Sequence, residues 1–300
     1  MTTRPTNKEL QRAINKAAFF TVVYPGAEPF LPDFFRSLEK QSHAEFDLII
    51  GNDGLQDLDL GSYDLNARIV DLDGTPAEIR ESGLRFLRSQ GYEQVIFGDC
   101  DDFFSSNRVE VSLRLLQECE VVVNELDLVD EEGALLQSGY LARRLDEGAV
   151  IAADLIGDKN IFGLSNTAVR GSCLQGREIP ANLVAVDWFL FASLLEGGAK
   201  AIFTSSTKTF YRQHGANTAG LAGNDPRKAI QAVRVKALHY EALAEAGLES
   251  YRGAAAAFKS LRQRLLDDDT FRAQYLSFLE SRTMEFPFWW ECALLPEECT

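Results

Sequence analysis

The segment VIFGDCDDFF, Val95–Phe104, places three aspartates directly after a short apolar run that is typical of a buried strand. The carboxylates of Asp99, Asp101 and Asp102 repel one another, and burying them without partners costs several kcal/mol. Two arrangements avoid that cost: a turn that faces water, or a cationic ligand that binds the carboxylates. The segment therefore predicts a strand that ends at the edge of a sheet, with an acidic turn beyond it.

The surrounding sequence predicts an α/β fold. Apolar runs alternate with segments of helical periodicity, which favours a mostly parallel sheet covered by helices on both faces. The strand-like runs are AAFFTVVYP (17–25), FDLIIGNDG (46–54), ARIVDLDG (67–74), QVIFGDCDD (94–102) and CEVVVNELDLVD (119–130). Ligands of such sheets bind at the carboxyl ends of the strands. We therefore expect Asp53, after the second strand, to lie at the same edge as the acidic turn.

The last part of the chain has a different character. From about Asp225 onward, Ala, Leu and Arg recur at helical spacing, which predicts a helical region after the loop GLAGNDPR (220–227). The predicted domains are 1–220 and 221–300. The apolar tail FPFWWECALL (286–295) is interpreted as packing on the core, while a homodimer contact or a peripheral membrane contact is less favoured.

Composition excludes several classes of partner. The 300 residues carry a formal net charge of −15, which argues against nucleic-acid binding because that partner needs a cationic surface. Five cysteines at scattered positions, with no Cys-x-x-Cys, predict a reduced, cytoplasmic chain. The first residues, MTTRPTNKELQRAINK, lack the apolar region of a signal peptide. A Gly-x-Ser-x-Gly elbow, a Walker A loop and a Gly-x-Gly-x-x-Gly motif after the first strand are also missing, which weighs against hydrolases, ATPases and dehydrogenases.

The polar residues of these segments each have a functional and a structural interpretation. Asp-x-Asp-Asp offers hard oxygen ligands for Mg²⁺ or Mn²⁺ carrying a diphosphate, or it is a solvated turn. Asp53 accepts hydrogen bonds from a nucleoside, or it belongs to an Asn-Asp-Gly turn. Asp187 is a general base or the cap of the following helix. Arg212 and His214 contact phosphate and metal, or His214 is a structural hydrogen-bonder, the role that we expect for His43 and His239.

The order of these segments resembles glycosyltransferase family 2, the inverting nucleotide-sugar transferases with the GT-A fold, over roughly residues 17–220. The matching segments are VVYP followed by FLPDFFRSLEKQ, then IIGNDGLQD, EIRESGLRFLRSQGYEQVIFGDCDDFF, VDWFLFASLLEGG and FYRQHGANTAG. The chain departs from the family where Gly26-Ala27-Glu28 replaces a usual Thr-Tyr-Asn, where Asn52 replaces a frequent Asp, and where Ala-Val precedes Asp187.

The resemblance implies a nucleotide-sugar donor, with a UDP-sugar expected. Asp53 would hold the base, and Tyr24 and Pro25 would line the same pocket. Arg80 would contact the base or the diphosphate, and Asp99 would approach the ribose.

The resemblance also implies a divalent metal, Mn²⁺ or Mg²⁺, bound by Asp101, Asp102 and His214. Asp187 would be the general base that activates a hydroxyl of a glycan or lipid-linked glycan acceptor. Two alternatives remain open at this point. A nucleotidyltransferase shares acids at the strand ends, although YPGAEPFLPDFF lacks the Lys or Arg that grips a triphosphate. A non-catalytic nucleotide-sugar-binding module on the same fold is the other.

Overall fold

The computed structural model describes residues 17–176, 178–215, 226–281, 289–291 and 293–295. Contacts group the chain into two compact units. Unit 1 contains the described residues up to Ala152, together with Phe162–Glu178 and Gly198–Arg212. Unit 2 contains Ala153–Ile161, Ile179–Gly197 and the described residues from Gln213 onward.

This grouping differs from the expected division after residue 220. Two segments of the expected first domain, 153–161 and 179–197, group with the C-terminal helices. The expected boundary itself falls in 216–225, outside the described residues.

Unit 1 is built on one mixed sheet. Its described strands run in the order β3-β2-β1-β4-β9-β6-β10-β5, with β7 paired to β6 and β8 paired to β10. They are β1 (Ala17–Val23), β2 (Asp47–Asn52), β3 (Ala67–Asp71), β4 (Gln94–Phe97), β5 (Phe103–Phe104), β6 (Val121–Val129), β7 (Leu135–Gln137), β8 (Val150–Ile151), β9 (Thr167–Arg170) and β10 (Ala201–Arg212). The alternating α/β pattern of the sequence is confirmed.

Strand direction places the functional candidates of this unit at one edge. Strands β3, β2, β1 and β4 are mutually parallel. Strand β9 is antiparallel to both β4 and β6, so β6 and its parallel neighbour β10 run in the same direction as β4. The carboxyl ends of β1, β2, β4 and β10 consequently lie at the same edge of the sheet, where ligands of such folds bind.

Among the described residues, three α-helices belong to the sheet unit: α1 (Leu31–Glu39), α2 (Pro76–Gln90) and α3 (Arg108–Leu115). Helix α2 begins with a capping box, in which Thr75 accepts from the Glu78 amide at 3.3 Å and the Glu78 carboxylate accepts from the Thr75 amide at 2.8 Å. Phe34 of α1 packs edge to face with Phe19 of β1 and Phe104 of β5, at ring-centroid distances of 6.1 and 5.9 Å. These rings form part of the apolar core beneath the acidic turn.

Unit 2 is helical. The α-helices in its described residues are α4 (Val186–Glu196), α5 (Pro226–Glu245), α6 (Arg252–Asp267) and α7 (Asp269–Ser281). Helix α4 is apolar around most of its circumference and almost entirely buried, as expected for a helix that is enclosed on all sides.

The described residues of the C-terminal tail pack on this helical unit. Trp290 and Ala293 are buried. The Lys236 ammonium donates to the Ala293 carbonyl at 3.0 Å, and the Tyr275 hydroxyl donates to the Leu294 carbonyl at 2.8 Å. The interpretation of this tail as core packing is therefore confirmed for these residues, and 286–288 and 292 lie outside the described residues.

Of the helices in the described ranges, none is both long enough and apolar enough to cross a membrane. Cys100 and Cys119 are buried free thiols.

Candidate functional site

The turn after β2 presents a free carboxylate at the sheet edge. The Asn52 side chain closes the turn, accepting from the Leu55 amide at 2.9 Å and donating to the Leu55 carbonyl at 3.1 Å. Gly54 adopts a left-handed conformation with φ of 77°, and the Asp53 amide donates to Val23, the last residue of β1, at 2.8 Å. The Asp53 carboxylate has no hydrogen bond or ion pair with the residues that the structure describes. The turn interpretation of Asn-Asp-Gly is confirmed, and it leaves Asp53 available to a ligand.

The acidic turn starts from a position where only glycine fits. A Cβ atom on Gly98 would lie 2.6 Å from ring carbons of both Phe19 and Phe104. The turn can therefore lie directly on the aromatic core, and the Asp102 amide closes it by donating to the Asp99 carbonyl at 3.2 Å.

Asp102 points inward and is only 1% exposed. One carboxylate oxygen accepts from the Arg212 amide at 2.7 Å, and the other accepts from the Ser165 hydroxyl. Burial, together with the charges of Asp101 and Asp99, raises the pKa of Asp102 well above its ordinary value. Both oxygens already have protein donors, which argues against the direct metal binding that the resemblance implies for Asp102.

Asp99 and Asp101 are partly exposed and lie beside the other candidates of the edge. The Arg80 guanidinium of α2 lies 3.6 Å from an Asp99 carboxylate oxygen. The Tyr24 hydroxyl, directly after β1, donates to Asp101 at 3.4 Å. Burial and the nearby Asp101 carboxylate raise the pKa of Tyr24 well above its ordinary range, so this hydroxyl keeps its proton. Pro25 follows as an exposed residue at the same edge.

Arg212 has a role that the sequence did not reveal. We expected a phosphate contact, yet its side chain is 2% exposed and its guanidinium is directed at protein groups. It donates to the Asp101 carbonyl at 2.8 Å and to the Asp33 carboxylate at 2.9 Å. The rings of Phe30 and Phe103 lie 5.1 and 5.3 Å from the guanidinium carbon. Arg212 therefore holds the acidic turn and supplies a buried positive charge beside it.

Asp187 lies in the first turn of α4, in unit 2. The N-cap residue is Ala185, which makes no side-chain capping bond, so the prediction that Asp187 is the cap was wrong in position. The Asp187 carboxylate instead accepts from the adjacent Trp188 amide at 2.8 Å, satisfying one of the free N–H groups at the helix start. The side chain remains partly exposed.

His239 of α5 is buried in the helical unit, with 0% of its surface exposed. It is structural, as expected, but not as a hydrogen-bonder, because neither ring nitrogen has a hydrogen-bond partner among the described residues. Its ring stacks on Trp188 at a centroid distance of 3.9 Å. Burial, with a smaller contribution from Lys236, lowers the pKa of His239 well below its ordinary value.

That lowered pKa predicts a pH-dependent loss of stability. Below about pH 6.5 this histidine is protonated in the unfolded chain but not in the folded chain. The free energy of unfolding therefore decreases as the pH is lowered. Relative to His239→Phe, the wild-type protein should lose about 1.4 kcal/mol between pH 7.5 and pH 5.5, measured by urea unfolding. An identical pH dependence for the two proteins would show that His239 protonates freely in the folded state.

The remaining metal candidate, His214, follows the end of β10 and belongs to unit 2. Within the described ranges, no three His, Cys, Asp or Glu side chains form a group that would hold a metal ion by themselves. The partly exposed carboxylates of Asp99 and Asp101 still fit Mg²⁺ or Mn²⁺, because such ions are commonly held by one or two carboxylates with substrate phosphates completing the shell.

Comparisons with known proteins establish the fold. The chain is similar to the crystal structure of S. aureus TarS residues 1–349, with a TM-score of 0.59 and 17% identity over 88% of this chain and 78% of that one. The same fragment in complex with UDP-GlcNAc gives a TM-score of 0.59 and 16% identity over the same shares of 88% and 78%. The mannosyltransferase PcManGT from Pyrobaculum calidifontis, in complex with GDP-Man and Mn²⁺, gives a TM-score of 0.52 and 13% identity over 87% of this chain and 78% of that one.

No protein-family model and no curated protein matches the sequence. Membership in glycosyltransferase family 2 therefore stays a prediction. The solved structures agree with the topology described above, and the chain has the GT-A glycosyltransferase fold.

Proposed function

We propose that the protein is a glycosyltransferase that moves a sugar from a nucleoside-diphosphate donor to a hydroxyl of a glycan or lipid-linked glycan. The observation that carries the proposal is the sheet edge of unit 1. There Asp53 has no described partner, Arg80 lies beside Asp99, and Asp101 is held by Tyr24 and by Arg212. A free carboxylate, a cation and a partly exposed acidic pair at the carboxyl ends of parallel strands are groups suited to binding a nucleotide diphosphate with a divalent ion.

Each of these side chains has a place in donor binding. Asp53 accepts from the base or the ribose, Tyr24 and Pro25 line that pocket, and Asp99 approaches the ribose. Arg80 provides a positive charge for the diphosphate. UDP is the nucleotide that we test first because TarS is solved with UDP-GlcNAc, and GDP is second because PcManGT is solved with GDP-Man.

A divalent ion is proposed as the cofactor, held by Asp101 and His214, while Asp102 anchors the turn from inside. When bound, such an ion neutralises charge that develops on the leaving diphosphate. The Mn²⁺ in the PcManGT structure supports this choice of cofactor.

Asp187 is proposed as the general base. Its carboxylate takes the proton of the acceptor hydroxyl while that oxygen attacks the anomeric carbon, and the bond from this carbon to the diphosphate oxygen breaks in the same displacement. The nucleoside diphosphate leaves with the bonding electron pair. A single displacement inverts the anomeric configuration, so a product with retained configuration would remove Asp187 from this role.

The proposal is tested by incubating the protein with UDP-GlcNAc, UDP-glucose, UDP-galactose or GDP-mannose, Mn²⁺ and a panel of glycan and lipid-linked acceptors. We expect release of one nucleoside diphosphate that depends on an acceptor and disappears with EDTA. The variant that tests the site is Asp53→Asn, which removes only the carboxylate charge. It should raise the donor KM at least tenfold, which corresponds to about 1.4 kcal/mol of binding free energy. Donor turnover that is insensitive to Asp53→Asn would contradict the proposed site.

A further inference from the structure

The helical unit fixes the residue that directly follows the proposed base. Trp188 is 1% exposed, and its indole N–H donates to the Ile156 carbonyl at 2.7 Å. The Trp188 amide also donates to the Asp187 carboxylate at 2.8 Å. Because neighbouring Cα atoms are joined at a fixed distance of about 3.8 Å, any shift of Trp188 moves Asp187 with it.

His239 of α5 covers one face of that indole. The two rings are stacked at 3.9 Å between centroids and at 15° between planes. The imidazole has no hydrogen-bond partner among the described residues and is fully buried. Flat contact with Trp188 is therefore its main described interaction, and an uncharged ring suits that contact because no ion has to be desolvated.

Tyr240, the next residue of α5, holds the same structure from a second direction. Its ring packs edge to face with Trp188, with 5.6 Å between ring centroids and 67° between ring planes. Its hydroxyl donates to the Gly157 carbonyl at 2.9 Å. The segment 156–157 is thus bonded by Trp188 and by Tyr240. Tyr240 in turn packs on Tyr251 and Phe258, at ring-centroid distances of 6.1 and 5.3 Å.

We infer that His239 is a positioning residue that sets the location of Asp187 through its stack on Trp188, so that the C-terminal helical unit takes part in catalysis. The inference rests on the proposed function, in which Asp187 is the base. It goes further by assigning α5 a part in the reaction. The donor groups Asp53, Asp99 and Asp101 belong to the other unit, so a loosened Trp188 should affect turnover without affecting donor binding.

The test compares three variants of the full chain. His239→Leu introduces an apolar side chain of similar volume and removes the stacked ring. His239→Phe keeps an aromatic ring in the same place. Leu261→Ala in α6 is the matched control, because it removes buried apolar volume from the same unit and should lower the melting temperature without touching the catalytic groups. Each protein is measured for kcat, for donor KM and for amide hydrogen exchange of residues 186–191. Should the leucine variant fail to fold, His239→Met takes its place.

For His239→Leu we expect a kcat about 10- to 100-fold lower, the loss typical of a misplaced reacting group, with donor KM within about twofold and exchange in 186–191 at least tenfold faster. His239→Phe and Leu261→Ala should keep kcat within about threefold. Unchanged kcat and exchange in His239→Leu would overturn the inference, as would equal losses in His239→Leu and Leu261→Ala. If the wild-type protein transfers no sugar, the proposed function fails, and the exchange comparison alone decides whether His239 fixes the start of α4.

Discussion

Replacing Asp187 with Asn should lower kcat by about 10²- to 10⁴-fold, the contribution typical of a positioned general base. The amide has nearly the same size and still accepts from the Trp188 amide, so the first turn of α4 should persist. It cannot take a proton from the acceptor hydroxyl. The proposed donor groups of unit 1 are unchanged, so donor KM and nucleotide binding should stay within about twofold of wild type.

Glu196→Gln is the control for this experiment, since it removes a carboxylate from the opposite end of the same helix. It should leave kcat within about twofold. If the kcat of Asp187→Asn lies within about threefold of the wild-type value, Asp187 is excluded as the base, whichever donor is used.

Replacing Arg212 with Ala should lower the free energy of unfolding by about 3–5 kcal/mol, because it empties the space of a buried side chain and removes the hydrogen bonds of a charged group. The substitution deletes hydrogen bonds to the Asp101 carbonyl and the Asp33 carboxylate. It also removes the guanidinium donor of the Glu131 carbonyl and the cation that faces the rings of Phe30 and Phe103. Arg212→Lys should recover less than half of the loss, because an ammonium cannot reproduce the planar donor geometry of guanidinium.

Urea unfolding of these variants is compared with that of Arg85→Ala. The Arg85 side chain is 69% exposed, and its guanidinium lies 3.6 Å from a Glu81 carboxylate oxygen. Its removal should change the free energy of unfolding by no more than about 0.5 kcal/mol. The expected loss is at least roughly 3 kcal/mol. An Arg212→Ala protein whose free energy of unfolding lies within about 1 kcal/mol of wild type would show that the acidic turn does not depend on the Arg212 guanidinium.

The sheet edge was predictable from sequence because its signals are local. A buried apolar run followed by Asp or Gly fixes where a strand ends, and parallel strands bring such ends together. Asp53, Asp99 and Asp101 therefore lie at the edge where the pattern places them, and Gly54 supplies the left-handed turn that leaves Asp53 free.

The roles that sequence did not reveal depend on contacts between distant residues. Asp102 and Asp101 are adjacent, yet one faces Ser165 and Arg212 inside the protein and the other faces Tyr24. Nothing in Asp-x-Asp-Asp distinguishes them, since the distinction is made by residues from 63 to 110 positions away. The stack of His239 on Trp188 likewise joins two helices, and helical periodicity marks both residues only as buried.

The central claim is that the edge formed by Asp53, Asp99 and Asp101 binds a nucleoside diphosphate with a divalent ion. Its most direct test is thermal and urea stability with UDP, GDP, dTDP or CDP, each with and without Mn²⁺, for wild type and Asp101→Asn. One nucleotide with Mn²⁺ should stabilise the wild-type protein by about 1.4 kcal/mol at tenfold excess over Kd, and Asp101→Asn should abolish the shift. Wild-type stability that none of the four nucleotides changes, with or without Mn²⁺, would contradict the claim.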